Sequence, residues 1–349
     1  MNDTSRDTVP RGRATLADVA RHAGVSPSTA SKAINGRRDV SAATRARVEA
    51  AIAATGYDPI HGAAPRSRPT VEFLVDVLTS PYAMEILRGV TLAAEAAGVD
   101  IVVGRFRRTD ADADADIIGR LVDAERMGAI IVTAEVSDTT YAAITESGIP
   151  VVFVDPLRVE GAPVVSVGST NWIGGRSATE YLIGLGHRRL AMLGGPETSV
   201  SAVARMDGFR SAAESAAVTV DPRFVAHTHF EHDSAQAIAE GWLALPDRPT
   251  GIVASSDAQA LGVLEAARRL GLRVPEDLSV VGYDDTYVAA WAHPPLTSVY
   301  QPLQDIGRVC LRTVQRLAAG KRLDSHHIEL ATRLVVREST APPAPQDHP

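Results

Sequence analysis

Two hydrophobic rhythms divide this 349-residue chain. Between residues 15 and 59 small apolar side chains recur at helical spacing in short runs, whereas from Val71 onward near-continuous apolar runs alternate with longer amphipathic stretches. In the first region Leu16, Val19, Ala20 and Ala23 mark one helix face. Thr15 stands where an N-cap belongs, and Asp18 follows three residues later, the spacing of a reciprocal cap. Gly24 stops that helix. Val25 can plug the angle of a tight turn, Ser26 is a second N-cap candidate, and Pro27 takes the first helical position, where a missing N–H costs nothing. The second helix then turns Thr29, Ala30, Ala33 and Ile34 inward and Ser28, Ser31 and Lys32 outward, ending at Asn35–Gly36.

Beyond Val71 the runs VEFLVDV, VDIVVGR, AIIV, VVFVD, VVSVG, RRLAMLGG, GIVASSD and LSVVGYDD read as strands. Several are apolar throughout, as strands covered on both faces are. Helical stretches such as AMEILRGVTLAAEAAG, GGRSATEYLIGLGH and DAQALGVLEAARRLG lie between them. The pattern predicts an α/β fold with parallel sheets, and the number of units requires two sheets. Ligands of open α/β sheets bind outside the carboxyl ends of the strands, a rule that selects Tyr82, Asp155, Asp257 and Asp284. Carboxylates accept hydrogen bonds from paired hydroxyls, and an aromatic ring covers the C–H face of a sugar, so these residue types suit a polyhydroxylated ligand. Each strand-end Asp also reads as a plain helix cap.

Charge follows the same division. Residues 1–68 hold eleven Lys plus Arg against six Asp plus Glu, a net of +5, and the remainder carries 24 against 36, a net of −12. A basic head on an acidic body points the head alone at nucleic acid, with salt-sensitive binding. A helix–turn–helix places its second helix in the major groove with the N-terminal side chains toward base edges. Pro27, Ser28 and Lys32 are therefore the base-facing candidates, Ser being able to bond several bases and Lys to reach guanine acceptors. Arg37, Arg38, Arg45 and Arg47 meet phosphates, which position the protein without specifying sequence. Thr15, Ser26, Thr29, Ser31 and Asn35 complete the DNA-facing set of the head. In the linker IHGAAPRSRP, residues 60–69, Pro65 disrupts a helix beyond its first turn and no leucine occurs between Ile60 and Leu74. Arg66 and Arg68 are expected to contact phosphates or a narrow minor groove from an extended segment.

Other signals carry less. His227, His229 and His232 beside Glu231 and Asp233 raise a metal site, with His227 and His229 on one strand face. A second separated ligand pair is absent, and lobe-edge polar residues are the better reading. DADADAD at 110–116 lacks the Gly and terminal Glu of a calcium loop and reads as a solvated lead into a helix over 116–127. Cys310 is a lone thiol in apolar helical context, which fits a reducing compartment. No apolar run reaches transmembrane length and the N-terminus lacks a signal-peptide core, so a cytoplasmic location is expected. LGGP at 193–196 is not a dinucleotide loop, and neither a Walker lysine motif nor a nucleophile elbow appears. The chain is accordingly not read as an enzyme, and no catalytic residue, cofactor or metal is expected.

The segments TLADVARHAGVS, STASKAING, VSAATRARV and GYDP, together with ATEYLIGLGHRRLAMLGGP, ARMDGFRSA, DAQALGVLEAARRLGLRVPEDLSVVGYDD and PPLTSVYQP, resemble the lac repressor family across nearly residues 15–340. That resemblance implies a small all-α helix–turn–helix domain plus an α/β two-lobed, periplasmic-binding-protein-like (type 1) effector domain. It places the DNA-binding domain at 15–59 and the effector and dimerisation domain at 70–340. The first lobe would span about 70–167 and 300–327, the second about 168–299 and 328–340, with disordered ends at 1–14 and 341–349. It implies that Arg205 and Asp284 hold the effector with Asp155, Tyr82 and a ring-stacking Phe230, and that Ser256 stands where an Asn often occurs. Arg205 fits independently, because a guanidinium offers five donors in a fixed fork. The function implied is a homodimeric transcriptional repressor of carbohydrate-utilisation genes that binds a double-stranded operator under control of a sugar effector, without membrane association. A sugar-binding receptor shares the body fold and a Rossmann-type enzyme its strand pattern; the DNA-reading head counts against both.

Overall fold

The computed structural model describes residues 14–34, 37, 40–57, 68–106, 111–133, 138–156 and 164–344, with backbone alone for 111–116 and 140. It separates into two units, Met1–Arg68 and Pro69–Pro349.

Within the head, α1 (Leu16–Ala23), α2 (Pro27–Ile34) and α3 (Ala42–Thr55) pack around Val19, Ala23, Ala33, Val48 and Ala51. Alanine at these contacts lets the helices approach closely, and Val25 seals the turn as a partly buried neighbour. The reciprocal cap is formed. Asp18 N–H donates to Thr15 Oγ1 at 3.4 Å, and Thr15 N–H donates back to Asp18 Oδ2 at 2.9 Å. Gly24 closes α1 at φ 65°, a left-handed conformation that a side chain would strain. Ser26 Oγ accepts from Thr29 N–H at 3.1 Å, so it caps α2 above Pro27.

The second unit contains two six-stranded sheets, each flanked by helices. The first is built from β1 (Thr70–Val75), α4 (Pro81–Ala97), β2 (Asp100–Arg105), α5 (Ala111–Asp123), β3 (Gly128–Val132), α6 (Asp138–Ser147), β4 (Val151–Val154) and β5 (Ser166–Ser169). The chain then crosses into α7 (Asn171–Gly184), β6 (Leu190–Gly194), α8 (Val200–Ser215), β7 (Val225–His227), α9 (His232–Leu243), β8 (Gly251–Ala254), α10 (Asp257–Arg269), β9 (Ser279–Asp284), α11 (Tyr287–Trp291) and β10 (Thr297–Tyr300). It returns through α12 (Leu303–Ala318) and β11 (His327–Leu330) to the first lobe and ends in β12 (Arg333–Val335) of the second. Strand orders are β11-β5-β4-β3-β1-β2 and β12-β10-β9-β8-β6-β7. All pairings are parallel except that of β10 with β12. Strands β3, β4, β6 and β8 are buried along their whole length, which accounts for their unbroken apolar runs.

Three sequence expectations need correction here. Lobe boundaries at 167/168 and 327/328 would cut β5 and β11, whose register runs unbroken from His327–Ser166 to Leu330–Ser169. The lobes therefore exchange at Thr170, at 301–302 and at 331–332. The polar residues Ser169 at the end of β5 and His327 at the start of β11 hide these strand ends, which are set by their pairing. Helix α5 begins at Ala111 and ends at Asp123, so the alanine-aspartate alternation belongs to the helix rather than leading into it, as the high helix propensity of alanine allows. Disorder expected from residue 341 onward does not hold for residues 341–344, which are described. Ala341 N–H donates to Ser279 Oγ at 3.0 Å, and its carbonyl accepts from the buried His187 Nε2 at 2.9 Å. His187 Nδ1 meets Thr250 Oγ1 at 3.0 Å, so one imidazole pins the C-terminal strap to the second sheet, and its burial lowers its pKa.

Candidate functional site

The carboxyl ends of both sheets face one cleft of about 720 Å³, walled by Val75–Val77 and Thr79–Ala83 from the first lobe and by Arg205, Phe230, Ser256, Asp257 and Asp284 from the second. All seven residues expected to meet an effector lie along it. Its size falls within the range of small-molecule sites, about 300–1,000 Å³.

Each lobe contributes polar groups on strained turns. Thr133 after β3, Asp155 after β4 and Asp284 at the end of β9 all line the cleft with positive φ, at 49°, 40° and 105°. Non-glycine residues in such conformations each cost roughly 1–3 kcal/mol and gather at ligand sites. Asp155 accepts from Tyr82 OH at 2.5 Å and from Asn171 Nδ2 at 3.5 Å. Arg205 is 3% exposed. It donates from Nε to Asn171 Oδ1 at 2.8 Å and from Nη1 to the Ser255 carbonyl at 2.6 Å, and lies 3.7 Å from Asp284 Oδ1. Its guanidinium sits 3.8 Å above the Tyr283 ring, with Phe230 5.8 Å away. Gly175 makes this placement possible, because a Cβ there would collide with the Arg205 carbonyl where α7 crosses α8.

Burial sets the electrostatics. Desolvation pushes the Asp155 and Asp284 carboxyls up, and Arg205 opposes this in both. Tyr82 is raised by burial and by Asp155, which keeps its hydroxyl a donor. A fixed guanidinium paired with Asp284, with the Asp155 carboxylate and Phe230 lining the same cleft, can hold a ligand rich in hydroxyl groups.

Asp257 and Ser256 play different parts from the others. Asp257 Oδ2 accepts from Thr286 N–H at 2.7 Å and Thr286 Oγ1 at 2.9 Å, and Oδ1 accepts from Ser298 Oγ at 2.6 Å. Burial pushes this carboxyl up to about 7. Both oxygens are engaged in bracing the loop that carries Asp284. Ser256 Oγ caps α10 by accepting from Gln259 N–H at 3.1 Å. Strand β7 stops at His227, so His229 leaves the strand face expected for it. Among the described residues, no three His, Cys, Asp or Glu side chains come together as metal ligands.

Sequence reasoning missed Asn171 and Gln301. Both follow strand ends and both are buried, at 7% and 1% exposure. The strand-end rule would have selected them had it been applied to amides as well as to acids and aromatics.

On the head, Pro27, Ser28, Lys32 and Arg37 are exposed, while Thr29 and Ser31 are half-buried. Ser26 Oγ lies 2.9 Å from Ser28 Oγ and 2.8 Å from Thr29 Oγ1, forming a hydroxyl cluster at the start of α2. Thr15 is engaged with Asp18. Arg45 Nη2 donates to the Arg37 carbonyl at 3.1 Å, tying α3 to the stretch after α2. Arg68, the last residue of the first unit, is exposed, and Asn35, Arg38 and Arg66 lie outside the described residues.

Comparison with known proteins agrees with this division. A model of bacterial regulatory proteins, lacI family, matches residues 15–59, and one of a periplasmic binding protein-like domain matches 179–340. The HTH-type transcriptional regulator CelR of Thermobifida fusca is 36% identical over 340 residues, covering 94% of this chain and 99% of its own. The ribose operon repressor of Escherichia coli (strain K12) is 31% identical over 336 residues, covering 93% and 99%. Among solved structures, a transcriptional regulator CelR–cellobiose complex superposes with TM-score 0.71 at 35% identity, covering 94% of this chain and all of that one. A lac repressor dimer bound to operator and the anti-inducer ONPF gives 0.72 at 29%, covering 94% and 99%.

Proposed function

Because this chain belongs to the lacI family of bacterial regulatory proteins and is a DNA-binding transcription regulator, we propose that it represses carbohydrate-utilisation genes and that its effector is a neutral sugar of disaccharide size. The observation that carries this reading is the buried Arg205, paired with Asp284 and tied through Asn171 to Asp155, in a 720 Å³ cleft with Tyr82 and Phe230. The carboxylates that line this cleft accept from ligand hydroxyls and Arg205 donates to them, which suits paired hydroxyls better than an anionic ligand. The similar regulator solved with cellobiose makes that disaccharide the first compound to try.

Tyr82, Asp155, Arg205, Phe230 and Asp284 are the effector contacts in this reading, and Ser256 and Asp257 support the loops beside them. Ser28 and Lys32 read bases, and Arg37, Arg38, Arg45, Arg66 and Arg68 meet phosphates. The protein works as a cytoplasmic homodimer on a near-palindromic operator, by binding rather than by catalysis. Sugar occupancy alters operator affinity because it favours one arrangement of the lobes over the other. Among the described residues no helix is long and apolar enough to cross a membrane.

A thermal-shift screen of sugars, with nucleobases as the competing class, tests the ligand assignment. A rise in melting temperature with cellobiose or related disaccharides is expected. Stabilisation by nucleobases with none by any sugar would overturn it.

A further inference from the structure

Two amide side chains rooted in the crossovers between the lobes each touch both lobes. Gln301 follows β10 of the second lobe and precedes α12 of the first. Its Nε2 donates to Asp284 Oδ1 at 2.6 Å, and its Oε1 accepts from Ser169 Oγ, at the end of β5, at 2.5 Å. Its backbone N–H also donates to the Asp284 carbonyl at 3.2 Å. Asn171 begins α7, donates to the Ser169 carbonyl at 3.0 Å and accepts from Arg205 at 2.8 Å. The ion pair of Arg205 with Asp284 at 3.7 Å then closes a ring: Asp284, Gln301, Ser169, Asn171, Arg205. Every member is buried, from Ser169 at 0% to Asn171 at 7% exposure.

We propose that this ring links occupancy of the cleft to the angle between the lobes, and that Gln301 passes the state of Asp284 to Ser169. An amide presents one donor side and one acceptor side in a single plane. With both sides engaged in a dry site, movement of either partner moves the other or leaves a buried polar group unpaired. Four of the five links are at hydrogen-bond distance, and the Arg205–Asp284 contact is the long one. A ligand hydroxyl that inserts there draws on the same Asp284 oxygen that Gln301 holds. Ser169 belongs to the first lobe and Asp284 to the second, so any change in that bond is felt as rotation about the crossovers. A ligand shifts such an equilibrium only through contacts that differ between the two arrangements, and the ring is a set of contacts that would differ. Gln301 and Ser169 are positioning residues in this account. The proposal rests on the assignment of the cleft to the effector, but its first test needs no ligand.

The test uses the full chain carrying spin labels at Asp123→Cys in the first lobe and Glu214→Cys in the second, both exposed, diluted with unlabelled protein. Native Cys310 is buried and stays unlabelled. In the ligand-free protein, Ser169→Ala, Gln301→Leu and the double variant are expected to shift or broaden the inter-lobe distance to the same extent, because all three break one bridge. Wild-type distances in the single variants, or shifts that add in the double variant, would overturn the proposal. Should Gln301→Leu fail to fold, the milder Ser169→Ala carries the result, since a purely structural brace would lower its melting temperature and leave the distances alone. With saturating cellobiose, the distance change seen in the wild type is expected to fall at least threefold in the variants, and an undiminished change would contradict the ring. Cellobiose that binds no form of the protein overturns the choice of that disaccharide, while the ligand-free distances still decide the ring.

Discussion

The face of α2 proposed to read DNA and the cleft proposed to hold the effector are built on opposite principles. The outer side of α2 is exposed, dominated by hydroxyls, and organised by contacts spanning two or three residues, such as Ser26 with Ser28 and Thr29. The cleft is buried, dominated by charge, and organised by contacts spanning the chain, such as Tyr82 with Asp155 and Ser169 with Gln301, separated by 73 and 132 positions. A surface that must slide along and test many DNA sequences keeps its groups hydrated until they meet bases. A sensor that must convert one small ligand into a movement of lobes holds its charges already desolvated, so that a ligand changes their balance. Substitutions at the two places should therefore fail differently.

The largest effect is expected at Arg205. Replacing it by Ala leaves Asp155 and Asp284 buried without their shared cation, and breaking a buried pair costs about 3–5 kcal/mol. Calorimetry should show loss of sugar binding and thermal melting should show a destabilised body, while the head still binds operator. Retained sugar affinity would refute its role. Lys32→Ala should act in the reverse sense. Operator binding weakens by about 1–3 kcal/mol as a base contact is lost, binding to random DNA changes much less, and sugar affinity is unaffected. Equal losses on both DNAs would make Lys32 a phosphate contact. Ser26→Ala removes the cap of α2 and should cost the head about 1 kcal/mol, seen as lower helical content or a lower melting transition of the head without change in the body.

The smallest effect concerns pH. Burial lowers the pKa of His187 in the folded chain, so below the ordinary histidine value of about 6.5 the unfolded chain binds a proton that the folded chain does not. Stability of the body is therefore complete at higher pH and falls as pH drops through 6.5 and toward the lowered folded value. His187→Gln should flatten that fall in melting temperature between pH 7 and 5. Parallel curves for wild type and variant would contradict it.

The same contrast explains what was legible in the sequence. Caps at Thr15 and Ser26, the stop at Gly24 and the proline at position 27 act within one helical turn, so residue order alone reveals them. Apolar runs such as GAIIV and VVFV announce buried parallel strands because both their faces are covered. With the strands legible, their carboxyl ends locate Asp155 and Asp284. Short strands such as Arg333–Val335 carry too few residues to show alternation and exist through pairing with β10. Asn171 and Gln301 lie just past strand ends and were passed over because the rule was applied only to acids and aromatics; their partners, set by lobe topology, were not legible. Asp257 could be located but not interpreted, since Thr286, at the start of α11, and Ser298, on β10, occupy its oxygens from 29 and 41 positions away.

One titration tests sugar control of DNA binding most directly. Full-length protein is bound to DNA from upstream of its own gene, and operator affinity is measured by gel shift with and without saturating cellobiose, beside Arg205→Ala. A change in wild-type operator affinity of at least tenfold, absent in the variant, is the predicted result. Operator binding that stays the same with cellobiose and with every other sugar in the panel would contradict a sugar-governed DNA reader.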